Sequence, residues 1–246
     1  MDQMGVIAAL QELFSPLDAL AFGVFLLAIF GYSRVIGSPW AVRHDSLVGV
    51  VQRQRVLWLR NMGRRDNRNL DVILLSTLSQ GNAFFASTTA IAIGGVAALL
   101  GSGERAQQIM ERLPLVVPSP PALWECKLLL IMAIFIFAFF KFAWAFRLSH
   151  YCSIMIGATP ILTADNGSVC DDHAERTAAV VGLAGDHANS GLRAFYYAFA
   201  VLAWFFNPVV FMAATLWVLG ILVRRDFFSR SRRLIAGGAL PGQEAR

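Results

Sequence analysis

Lysine is nearly missing from this chain: Lys127 and Lys141 are the only two in 246 residues, and charged residues of all kinds make up 15%. A soluble domain carries about 25% charge and roughly 45–50% apolar residues, whereas the hydrophobic fraction here is 57%. The shortage excludes an ordinary water-soluble globular domain and predicts a polytopic membrane protein. Cysteine is scarce too. Cys126, Cys152 and Cys170 offer neither an even-numbered disulfide framework nor a CxxC spacing, and they read as free thiols. Basic residues are absent from the first stretch, "MDQMGVIAALQELFSPLDA", which lacks the positive start and the small-residue cleavage site of a secretory signal. The first apolar helix is therefore expected to remain in the mature protein.

Catalytic patterns are also thin. "GSGER" at 101–105 lacks the spacing and the following Lys of a phosphate-binding loop. Cys170, Asp171, Asp172 and His173 are neighbours on one short segment, so they cannot all face one ion, and no second ligand pair matches them. No metal site or cofactor is expected, and an enzyme is the weakest of the functional readings. The net charge of +5 is carried by arginine clusters beside apolar runs, which suits lipid headgroups; no groove-entering or base-stacking motif accompanies them, so nucleic acid is not an expected partner.

What the chain has is long apolar runs. A span needs about 20 mostly apolar residues, and windows near 16–37, 70–100, 122–147 and 193–223 qualify. No sustained period-2 alternation runs through them, so all four are expected to be helices. The expectation is an all-α polytopic membrane protein, a single membrane domain over 1–246 of four transmembrane helices and two interfacial or cytoplasmic ones. Ser38 and Pro39 open the first of these, an amphipathic helix near 39–65 that sets Arg53, Arg60 and Arg64 on one face as a surface for lipid headgroups or an acidic partner. The second lies near 172–190, where Asp172 and Glu175 have capping-box spacing. If both loops face one compartment, the acidic loop can meet the arginine-rich one.

Orientation carries a conflict. The first loop holds seven arginines (Arg43, Arg53, Arg55, Arg60, Arg64, Arg65 and Arg68), which the positive-inside rule places in the cytoplasm, below an inner (plasma) membrane. Four crossings would return the basic tail at 224–246, with Arg224 and Arg225, to the opposite side. The first helix usually dominates and is taken to do so; a further re-entrant or broken segment would remove the conflict.

Polar residues inside the spans are the candidate functional groups. Along the second span Ser76, Gln80, Ala83, Ser87, Ala90 and Gly94 form one stripe at helical spacing, with Leu74, Leu78, Phe85 and Val96 opposite. Small residues let helix backbones approach closely, so the stripe is either a packing seam or the lining of a hydrated path. Asn82 falls outside it and needs its own partner. Lys141 either snorkels to the interface beside Trp144 and Arg147, or pairs with Asp66 or Asp71 at the start of the second span. In the fourth span Asn207 and Pro208 predict a kink that exposes a carbonyl, usable as a gate or an ion ligand.

The stretches "SPWAVRHDS", "NAFFASTTAIAIGGVAALLG", "FKFAWAFRLSHYCSIMIGATP" and "GLRAFYYAFAVLAWFFNPVVFMAATLWVLGILVRRDFFSRS" resemble an uncharacterised family of bacterial and plant integral membrane proteins, classed as a domain of unknown function. The resemblance runs from about residue 20 to about 233. It implies a helical membrane protein of about four spans, with the arginine after the fourth span part of the shared pattern, and it implies no reaction. Two functional readings stay open: an oligomeric channel- or transporter-like protein for a small ion or solute, and a non-catalytic scaffold that packs with itself or a larger complex.

Overall fold

The computed structural model describes residues 15–38, 46–65, 67–114 and 116–237. Among these, the helices are α1 (Pro16–Ile36), α2 (Leu47–Gly63), α3 (Asn69–Gly101), α4 (Glu104–Glu111), α5 (Pro121–Gly157), α6 (Gly167–Trp204), α7 (Pro208–Phe227) and α8 (Arg230–Ile235), and no strand occurs among the described residues. The fold is all-α, and four helices, which begin at Pro16, Asn69, Pro121 and Pro208, are long and apolar enough to cross a membrane. The chain divides into two compact units, residues 1–36, 88–138 and 192–222 in the first and residues 37–87, 139–191 and 223–246 in the second.

In the first unit, four contacts fix how the helices run. Asp18 accepts a hydrogen bond from the Trp204 indole, Phe25 touches both Tyr197 and Phe211, and the Tyr32 hydroxyl donates to the Leu222 carbonyl. The end of α6 therefore runs antiparallel to α1, and α7 runs parallel to it. Phe22, Trp204 and Phe211 stack in sequence, with centroids 5.7 and 4.9 Å apart. Ala21, Ala194 and Ala198 in this unit are buried, and small side chains let helices approach closely.

In the second unit, Leu59, Met62, Leu75, Cys152, Ile156, Ala174, Ala178 and Val181 form a core, against which Val56, Trp58 and Val180 pack. Ser46 caps α2 by accepting from the Gly49 amide. A side chain added at Gly182 would meet Gln52, and one at Gly185 would meet Arg55, so these glycines mark where α2 lies against α6. Gln52 also donates to the Ala178 carbonyl at 2.9 Å. The short α8 packs on α2, where Gln54 donates to the Ile235 carbonyl.

Several expected boundaries differ. The helix expected near 39–65 is described from Leu47, and Pro39 lies outside the described residues. The helix expected near 172–190 starts at Gly167 and continues unbroken to Trp204, absorbing the first part of the 193–223 window. Asp172 and Glu175 are thus inside a helix and form no capping box; Asp172 pairs with Arg176, and Glu175 with Arg60. The expected kink at Asn207–Pro208 is a full break. Pro208 occupies the first position of α7, where its missing amide costs nothing, and Asn207 Oδ1 accepts from the Val209 amide at 2.8 Å.

Candidate functional site

The break between α6 and α7 leaves backbone groups without helical partners, and the first unit supplies them from outside. The Phe206 carbonyl accepts from the Val117 amide at 2.9 Å. The Trp204 carbonyl accepts from Lys127 Nζ at 3.1 Å. Lys127 lies six residues into α5, about 9 Å along its axis, and only 3% of it is exposed. Its ammonium sits 5.4 Å from the Trp204 ring centroid and 5.8 Å from that of Phe205. A carbonyl at a helix C-terminus and two aromatic faces are each favourable to a cation.

The counter-charge is Asp18, 7% exposed, in the first turn of α1. Its two oxygens are committed to α1 and α6. Oδ1 accepts from the Trp204 indole at 2.7 Å, and Oδ2 from the Ser15 hydroxyl at 2.6 Å. Asp18 attracts Lys127 electrostatically, but among the described residues the ammonium's one hydrogen bond is to the Trp204 carbonyl. An ammonium has three N–H donors, so two remain for something else.

Those donors border a cavity of about 340 Å³ lined by Ser15, Asp18, Ser119, Lys127, Trp204, Asn207 and Pro208, among others. The start of α7, the positive end of a 20-residue helix dipole, also borders it. Lys127 and Asp18 are candidate residues that pattern reading missed. A charged residue inside an apolar window is itself the signal, and both lie inside expected spans.

The α3 stripe is placed differently from expectation. Ser76, Gln80, Ser87 and Gly94 are exposed and Ala83 half-buried, while Asp71, Leu75, Thr89 and Val96 form the buried face. Val96, expected on the lipid side, is buried, and Phe85 stacks on Phe142 at 5.1 Å. Asn82 is half-buried. The outward hydroxyls are satisfied within the helix: Ser87 donates to the Ala83 carbonyl, Thr77 to the Ile73 carbonyl, and Gln80 to the Ser76 hydroxyl.

The remaining predicted residues belong to the second unit. Asp71 is fully buried, and its Oδ1 accepts from Trp58 at 2.6 Å and from Arg65 at 3.1 Å. Lys141 is half-buried and acts electrostatically on His187; Asp66 lies outside the described residues. Arg60 pairs with Glu175 and approaches Asp171 at 3.9 Å, so the acidic and arginine-rich segments do meet. Burial lowers the Arg55 pKa, and the Asp186 charge works against that shift. Arg53, Arg64 and Arg224 are exposed, and Arg225 bonds the buried Asp226 at 2.9 Å. Among the described residues no group of three or more His, Cys, Asp or Glu side chains could hold a metal ion.

The family model described as "Protein of unknown function, DUF599" matches residues 20–231. No curated protein and no solved structure matches the chain.

Proposed function

The chain belongs to the DUF599 family of proteins of unknown function, and from that premise we propose that it is a transporter-like membrane protein that binds a small anionic or hydrogen-bond-accepting solute at the α6–α7 break. Its four long apolar helices fit a multi-pass membrane protein. The observation that carries the proposal is Lys127: a buried charge with two donors unused among the described residues, lining a cavity at an interrupted helix. Charges inside spans are expensive and mark pathways far more often than they mark packing, and interrupted helices supply solute sites in many transporters.

The break also bears on sidedness. With the end of α6 antiparallel to α1 and α7 parallel to it, the chain makes five passes if α6 enters the bilayer, an odd number. The basic tail then shares a side with the arginine-rich first loop, in keeping with the Gln54–Ile235 contact. By the positive-inside rule that side is the cytoplasm of an inner membrane.

The test is anion flux in reconstituted vesicles, with chloride, formate and acetate as probes, for the native chain, Lys127→Met and Gln80→Leu. Flux that is lost in Lys127→Met and kept in Gln80→Leu supports the reading. Flux equal in the native chain and Lys127→Met, or none above protein-free vesicles, overturns it.

One observation favours a second reading, association through α3. A side chain added at Gly81, Gly94 or Gly95 meets nothing within 4 Å, so the outward face of α3 is open to another helix. A second copy packed there makes the protein a homo-oligomer, or a scaffold if Lys127 proves idle. Cross-linking between cysteines placed at Ser87 in two copies tests it; monomers at all concentrations would rule it out.

A further inference from the structure

We propose that the second unit holds a binding site for the phosphate of an anionic phospholipid, in the cleft between the end of α2 and the segment after α5. The cleft, about 650 Å³, is lined by Gly63, Arg64, Arg65, Arg68, Ile161 and Leu162. The three arginines differ in how far they are already used. Arg68 donates to the Thr159 and Pro160 carbonyls at 2.6 and 3.1 Å, and so holds the far wall in place. Arg65 gives one nitrogen to Asp71 and keeps the rest of its fork. Arg64 has no side-chain partner among the described residues and is exposed. The cleft is therefore a preformed wall with one free guanidinium and one partly free, the planar donor geometry that phosphate oxygens accept.

The apolar surroundings select a lipid over a soluble anion. Ile161 is 78% exposed, Leu162 is exposed beside it, and the first turns of α3, directly after Arg68, expose Leu70 and Ile73. Here α3 begins as a helix long and apolar enough to cross a membrane. Arginines at the mouth of a span lie at headgroup depth, and the side chains next to them meet acyl chains. A free phosphate would use the guanidinium groups and leave this rim in water.

The test uses the full chain in neutral detergent, with fluorescent short-chain phosphatidylglycerol as probe and short-chain phosphatidylcholine and inorganic phosphate as competitors. Arg64→Ala removes no side-chain hydrogen bond or ion pair among the described residues, and Arg105→Ala is a charge-matched control in α4. The expected result is a loss of affinity of about five-fold in Arg64→Ala, none in Arg105→Ala, and no competition by millimolar inorganic phosphate or by phosphatidylcholine. Equal effects of the two substitutions would mean charge attraction without a site. Full displacement by inorganic phosphate would make the occupant a free anion. Displacement by phosphatidylcholine would mean that the acyl chain alone binds. Each of these three results overturns the proposal.

Discussion

The two units handle positive charge in opposite ways. In the second, arginines are numerous and many are matched: Arg60 to Glu175, Arg65 to Asp71, Arg68 to two carbonyls, Arg225 to Asp226. In the first, Lys127 is buried and among the described residues keeps only a carbonyl, two rings and an Asp18 whose oxygens are bonded elsewhere. These arginines have carboxylate or carbonyl partners within the fold, with Arg65 keeping part of its fork. Lys127 is buried beside a cavity with fewer partners among the described residues, and that difference is what the proposed role of Lys127 rests on.

The contrast can be broken most forcefully at Lys127. Lys127→Met should abolish solute flux and, by orphaning the Trp204 carbonyl, cost about 1–3 kcal/mol of stability; thermal unfolding in detergent separates the two effects. Next in size is Asp71→Ala, which leaves the Trp58 indole without its acceptor and frees Arg65. It should also cost about 1–3 kcal/mol but leave flux per folded molecule unchanged, which would mark the second unit's pairs as structural. Arg60→Ala should cost less, about 0.2–1 kcal/mol, because its pairs with Glu175 and Asp171 are largely exposed and screened; the same unfolding curves, repeated at high salt, should show the gap close. Gln80→Leu should change neither stability nor single-molecule flux, because Gln80 bonds only within its own helix turn and faces outward.

Helix class and the apolar windows were readable because lipid demands both continuous hydrophobicity and internal backbone bonding. The meeting of acidic and basic segments was readable too, from charge alone. The α6–α7 break was half-readable: Pro208 announces a disruption, but whether a helix bends or stops depends on what donates to the freed carbonyls, here Lys127 Nζ and the Val117 amide, both distant in sequence. The role of the polar stripe was not readable, because small and hydroxyl residues suit any close helix contact. Their spacing does not say whether the contact is within one chain or beyond it, and Ser87 satisfies its own hydroxyl either way. A helix near 172–190 was legible, whereas its start at Gly167 and its unbroken run to Trp204 were not, because its polar half is held against α2 at Gly182 and Gly185 by residues distant in sequence.

The central claim is that the buried pocket at Lys127 is reached by water and solute. The most direct measurement places a single cysteine at Leu123, which lines the cavity at 2% exposure and leaves Lys127 in place. The control is Ala138→Cys, at a fully buried position of the same helix, and both go into a chain without Cys126, Cys152 and Cys170. The account predicts that a small anionic, water-soluble thiol reagent labels position 123 in intact membranes and leaves 138 untouched, with Lys127→Met slowing the reaction at 123. Labelling at 123 as slow as at 138 would show a dry pocket and contradict the account.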